Sequence, residues 1–126
     1  MLFRSYYRVR AFNTSGTSGS SNSASVLTLP PPPVAQAATS VTVNSFQASW
    51  TPVTGATAYF IDVAPDNLFN TFTYNNITVG NVTTYPVNAL NSGSTYYYRV
   101  RGSDATGNSA NSNVIGYVVT DRKSVV

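Results

Sequence analysis

The sequence predicts an all-β sandwich of seven short strands, and three observations carry that expectation. Apolar and polar residues alternate with a period of two in several short runs, turn residues separate those runs at regular spacing, and no helical period occurs anywhere. Hydrophobic residues make up 42% and aromatics 13% of the 126 residues, enough to fill a core.

The runs follow in order. Phe46, Ala48 and Trp50 share one face of a strand, with Gln47 and Ser49 on the other. Thr51-Pro52-Val53-Thr54-Gly55-Ala56 supplies turn residues, and Tyr59, Ile61 and Val63 then alternate with Phe60 and Asp62. Pro65-Asp66-Asn67 reads as a turn and Phe69 to Tyr74 as a short strand. Tyr85 and Val87 sit two apart ahead of the turn Asn91-Ser92-Gly93. Tyr96, Tyr98 and Val100 face one way and Tyr97, Arg99 and Arg101 the other, and Val114 to Val119 closes the set.

A repeat lies inside the chain. Tyr6-Tyr7-Arg8-Val9-Arg10-Ala11 corresponds to Tyr97-Tyr98-Arg99-Val100-Arg101-Gly102 at an offset of 91, with Gly16 and Gly107 at matching places. Aligning Val26 with Val114 gives an offset of 88 and makes the first loop three residues longer. A period near ninety suits tandem sandwich domains. Residues 6–29 therefore read as the last hairpin of a preceding, truncated repeat, Pro30–Pro33 as a stiff polyproline linker, and 34–120 as a complete domain. A hairpin without a sheet is expected to be flexible or to borrow a sheet edge.

Both ends read as foreign. Asp121-Arg122-Lys123-Ser124-Val125-Val126 is the in-frame translation of a sequencing-adapter stretch, and Leu2-Phe3-Arg4-Ser5 that of its companion, so 1–5 and 121–126 are expected to be scars. Without them the net charge falls from +3 to +1, four basic residues against three acidic. No concentrated basic surface remains for nucleic acid.

The residue inventory argues against catalysis. There is no His, Cys or Glu, and the one Lys is Lys123. General acid–base chemistry, nucleophile activation and zinc or copper binding ordinarily recruit those groups. A non-enzyme with no catalytic residue, cofactor or metal is expected. Zero Cys means no disulfide framework, and no run of eighteen apolar residues spans a membrane. An exported parent would carry its signal upstream. Charged residues at 9%, against roughly 25% in an average globular protein, leave a hydroxyl- and amide-rich surface that suits an extracellular module.

The segment around Trp50 and Leu90-Asn91-Ser92-Gly93-Ser94-Thr95-Tyr96 resembles the fibronectin type III family. The match puts Trp50 at the family's core tryptophan and Ser92 where the family keeps Pro. It implies a seven-stranded immunoglobulin-like sandwich with Tyr96 as corner tyrosine, its hydroxyl returning to upstream backbone. Trp50, Tyr59, Leu90, Tyr96, Tyr98 and Val100 are the expected structural residues. Gly55-Ala56-Thr57-Ala58-Tyr59 and Thr95–Arg101 look most like copies in secreted, multidomain Bacteroidetes-type proteins.

Three candidate sites arise. Phe60, Tyr97, Arg99 and Arg101 form a candidate binding face for sugar rings or another domain, set against a solvated face with a cross-strand Asp62–Arg pair. Arg101-Gly102-Ser103-Asp104 resembles a loop Arg-Gly-Asp interrupted by Ser103, and reads as coincidence. Asp66, Asn67 and Asn70 offer oxygens to calcium, but Asp and Asn serve turns more often. Sequons at Asn13, Asn76 and Asn81 are expected by chance in so Asn- and Thr-rich a chain. The expected role is that of a spacer module in a tandem array of a secreted or cell-surface bacterial protein, partnered by neighbouring domains. The alternative is an adhesion module for polysaccharide or a cell-surface protein.

Overall fold

Period-two alternation becomes alternating burial wherever two sheets face each other. The computed structural model describes residues 3–119; the adapter-like end at 121–126, with residues 1 and 2 and Thr120, lies outside them. Four strands precede the prolines: β1 (Phe3–Tyr7), β2 (Phe12–Asn13), β3 (Gly16–Thr17) and β4 (Ala24–Thr28). Eight follow: β5 (Ala35–Thr39), β6 (Phe46–Trp50), β7 (Ala58–Ala64), β8 (Tyr74–Gly80), β9 (Thr84–Val87), β10 (Thr95–Asp104), β11 (Gly107–Asn108) and β12 (Ile115–Val119). No helix occurs among the described residues.

The second group forms a sandwich of antiparallel sheets. One sheet runs β5–β6–β9; the other runs β8–β7–β10, with β11 and β12 both paired to β10. Phe46, Ala48, Trp50, Tyr59, Ile61, Val63, Val87, Leu90, Tyr96, Tyr98 and Val100 bury their side chains between the sheets. The Phe46 and Tyr98 rings stack at 5.6 Å and those of Trp50 and Tyr59 meet tilted at 5.7 Å. All six expected structural residues lie in this core.

Polar tips of the core aromatics tie the layers together. The Tyr98 hydroxyl crosses from β10 to donate to the Gln36 carbonyl of β5, and burial holds it above the usual phenol range despite hydrogen bonds at Ser49. The Tyr96 hydroxyl accepts the Asn91 backbone N–H at 3.0 Å, the expected return to upstream backbone. The Tyr59 hydroxyl accepts from Val53 N–H at 2.8 Å. The Asn113 amide accepts from Ala35 N–H at 2.8 Å and donates to Ala35 C=O at 3.1 Å, clipping the start of β5 to the segment before β12.

One strand is displaced from its expected place. The run from Phe69 to Tyr74 is not a strand; β8 begins at Tyr74. Asp66 accepts the Asn70 backbone N–H at 3.1 Å and Phe69 takes a left-handed φ of 56°, so the chain turns here instead of extending. Period-two sequence alone could not distinguish that apolar loop from a strand.

The first hairpin repeats the turn and loop bonds of the last one. Ser18 and Ser21 donate their N–H groups to Ala11 and Val9 carbonyls at 2.8 Å, as Ser109 and Ser112 do to Gly102 and Val100. Each serine hydroxyl also accepts the N–H of the same partner, at 2.9–3.0 Å in all four cases. The turns agree too: Gly16 has φ 137° and Gly107 φ 138°, and Asn13 and Asp104 each accept the N–H two residues on at 2.8 Å. Tyr7 pairs with Ala24 as Tyr98 pairs with Ile115. The offset is therefore 91 from the Tyr7–Ala24 and Tyr98–Ile115 pairs through the turns, which corrects the alignment of Val26 with Val114. The loops are equally long, and the irregularity is a bulge between Tyr96 and Tyr98 in the complete sandwich.

Burial separates the two hairpins. Tyr98 and Val100 are 0% exposed, whereas Tyr7 and Val9, their counterparts, are 61% and 62% exposed. Among the described residues β1 pairs only with β4, so the hairpin has not joined a sandwich edge. The prolines are not a bare spacer: Pro30 and Pro33 are buried and Pro31 and Pro32 exposed.

Candidate functional site

Asp62 lies between Ile61 and Val63, so its side chain leaves β7 on the side away from the core. Arg99 stands directly opposite on β10, and Arg101 opposite Phe60. The carboxylate is nevertheless only 2% exposed, because its neighbours close over it. This corrects the expectation of a solvated face.

Its oxygens are fully engaged. Arg99 Nε donates to Oδ2 at 2.9 Å and an Arg101 guanidinium N–H reaches the same oxygen at 2.8 Å. The Asn76 backbone N–H donates to Oδ1 at 2.7 Å. Burial by itself would raise the Asp62 pKa; the hydrogen bonds from Arg101, Arg99 and Asn76, with the Arg101 charge, outweigh it and hold the carboxyl below the usual carboxylate range.

The arginines are equally committed. Arg101 also donates to the Asn76 and Asn111 side-chain oxygens, the latter at 2.7 Å. The Arg99 guanidinium sits 4.1 Å from the Phe69 ring centroid, and Phe72 tilts against Phe69 at 6.2 Å. The 65–73 loop thus folds over the outward face of the β8–β7–β10 sheet and rests on Arg99. Chemically this cluster fastens β7, β8, β10 and that loop together.

The candidate face is only partly assembled. Arg99 and Arg101 converge on Asp62, and Phe60 is half-buried on the same sheet. Tyr97, on the same outward face of β10, is half-buried with its ring over Gly116, where an added Cβ would come within 2.5 Å. Phe69, Asn76 and Asn111 complete the cluster without any periodic signal in the sequence. Asn76 enters through a left-handed φ of 52° at the β8 irregularity, which pattern reading does not reveal.

The other candidates resolve as turn or strand. Arg101-Gly102-Ser103-Asp104 belongs to β10, not to a loop. Arg101 turns to Asp62 while Asp104, on the opposite face, receives the Thr106 N–H at 2.8 Å and the Thr106 hydroxyl. The Thr106 hydroxyl, with the Thr106 and Gly107 backbone N–H groups, holds the Asp104 carboxyl below its usual range against the effect of burial. Asp66 serves the turn at Asn70. Among the described residues no group of three or more His, Cys, Asp or Glu is placed to hold a metal ion.

Similarity to solved structures extends over different spans. Three titin domains, A168–A170, match with a TM-score of 0.64 at 21% identity, covering 93% of this chain and 41% of that one. The chicken CNTN1 FN1–FN3 domains match at 0.58 and 19%, covering 95% and 44%. A beta-1,2-glucanase from Parabacteroides distasonis matches at 0.62 and 18%, covering 76% of this chain and 14% of the enzyme. No curated protein matches the chain. The family model for the fibronectin type III domain matches residues 30–117, more than half of the sequence, and the chain belongs to the fibronectin type III family.

Proposed function

We propose that this chain is a segment of a tandem fibronectin type III array in a secreted or cell-surface bacterial protein, serving as a non-catalytic spacer. Fibronectin type III domains are commonly structural or spacer modules of multidomain proteins. The observation that carries the reading is the recurrence, at an offset of 91, of the serine, glycine and Asx-turn bonds of the last hairpin. A hairpin so constructed, with Tyr7 and Val9 bare, has the bonds and the uncovered apolar face of the last hairpin of a sandwich.

Two further points support it. The titin and CNTN1 matches span 41% and 44% of three-domain chains, more than one domain's share, and take in most of this chain. The glucanase match covers 14% of an enzyme from Parabacteroides distasonis, so a similar fold occurs as a small part of a longer chain. The adhesion alternative is less well supported, since Arg99 and Arg101 are spent on Asp62.

Sequencing the source DNA outward from both ends tests the proposal. The frame is expected to continue upstream and to encode a tryptophan 47 residues before Tyr6, as Trp50 stands 47 before Tyr97. A stop codon in frame just upstream would overturn it. Retention on insoluble polysaccharide, abolished by Tyr97→Ala, would favour the adhesion reading instead.

A further inference from the structure

The two equivalent turns differ in one respect: what lies on them. At Asn13–Gly16 a Cβ added to Gly16 meets nothing within 4 Å, and the adjoining Phe12 is 84% exposed. At Asp104–Gly107 the same geometry is partly covered, Leu29 lying against Gly107 while itself 55% exposed. A Cβ added to Gly107 would lie 3.0 Å from Leu29 Cδ2, and the Thr106 hydroxyl reaches the Thr28 carbonyl at 3.3 Å. That hydroxyl has a single proton, and the Asp104 carboxylate is its nearer acceptor, with the Thr28 carbonyl at the long end of hydrogen-bond range. Pro30, next along the chain, is buried.

Thr28 ends β4, the last strand of the first hairpin. The residues that cover the turn are therefore those that leave one hairpin and enter the next domain. We propose that the Asp104–Gly107 turn is the socket of an interdomain joint, and that its occupant is the upstream neighbour's exit segment, Thr28–Pro30, in place of an external ligand. The socket sets the angle at which the upstream unit stands. Glycine at 107 leaves room for Leu29, and the left-handed φ that the turn requires keeps glycine there. The inference takes its biological sense from the tandem-array reading, though the contact itself is a property of this chain.

The absence of cysteine makes the test clean. Spin labels are placed at exposed Ser25 of β4 and exposed Thr78 of β8 by Ser25→Cys with Thr78→Cys. A second pair, Thr17→Cys with Ser25→Cys, reports whether the hairpin itself is formed, and Trp50 fluorescence reports the sandwich. The β4–β8 distance distribution is expected to be narrow in the parent chain. It should broaden roughly twofold in Leu29→Ala with Thr106→Val, while the hairpin pair and Trp50 stay unchanged.

A distribution that stays narrow in the double variant overturns the socket, because the prolines alone would then set the angle. A distribution already broad in the parent, with a narrow hairpin pair, overturns it while leaving the array reading to the DNA sequence. A broad hairpin pair also overturns it, since no formed segment then fills the turn.

Discussion

Ser21 and Ser112, ninety-one residues apart in sequence, each accept a valine backbone N–H at 2.9 Å, from Val9 and Val100 respectively. Each serine returns its own N–H to the same valine's carbonyl at 2.8 Å. The side chain bonds the opposing strand where the backbone between β3 and β4, or between β11 and β12, leaves the ladder.

Ser112→Ala leaves the buried Val100 N–H without its partner, and a buried orphan donor costs about 1–3 kcal/mol. Chemical denaturation followed through Trp50 should show that loss. Ser21→Ala exposes the Val9 N–H to water instead and should change stability by only about 0.5 kcal/mol or less. Equal effects at the two sites would contradict the difference in burial.

Asp62→Asn strips the charge from a buried carboxylate that two arginines and a backbone N–H are arranged around. A loss of about 2–3 kcal/mol at neutral pH is expected, the arginines being partly able to reach water. Because the folded-state pKa lies below the ordinary 3.8, the stabilisation is present above that value and is lost as pH falls through the folded pKa. Acid titration of stability should therefore flatten at its low end in the variant. An unchanged acid limb would show that Asp62 does not carry it.

Gly116→Ala places a methyl where the Tyr97 ring lies, at 2.5 Å, and the ring must shift. Overpacking of this kind costs about 1–3 kcal/mol. Tyr97→Ala in the same chain should remove most of the penalty, so a double-mutant cycle would return a coupling of about 1 kcal/mol or more. Additive effects would mean that the two residues do not touch.

Tyr98→Phe removes the hydroxyl that links β10 to the Gln36 carbonyl of β5 across the core. The expected loss is about 1–2 kcal/mol with the fold retained, measured by thermal or denaturant unfolding. Tyr96→Phe removes an acceptor from the Asn91 N–H and should cost a similar amount. No change at Tyr98 would remove the inter-sheet bond from the list of stabilising contacts.

Core positions were legible because alternation and burial are the same fact on a strand: Phe46, Ala48 and Trp50, and Tyr96, Tyr98 and Val100, all face inward as their spacing requires. The corner bond of Tyr96 followed from the family resemblance. The Phe69–Tyr74 strand did not follow, because a left-handed residue and an Asx turn redirect an apolar run without changing its composition. Asp62 could be placed on the outer side, but not buried there, since its cover comes from Arg101 two residues along β10 from its partner Arg99 and from Asn76 at an irregular point in β8. The Ser-x-x-Ser pairs at 18–21 and 109–112 were visible as letters. Their meaning depended on bonds that only folded coordinates display.

The Asn113 clip on Ala35 has a mechanical consequence. When a chain of this kind is pulled from both ends, the load enters beside β5 and leaves through β12, the first and last strands of the sandwich. β5 is registered on β6 by Ala35–Trp50, Gln36–Ser49 and, past an irregularity, Thr39–Gln47, with Val34 bonded to Thr51 just ahead of it. The amide of Asn113 adds two bonds at Ala35, the first residue of the strand, and they bind β5 directly to the approach of β12. Peeling β5 from its sheet therefore also requires breaking the clip that ties it to the segment before β12.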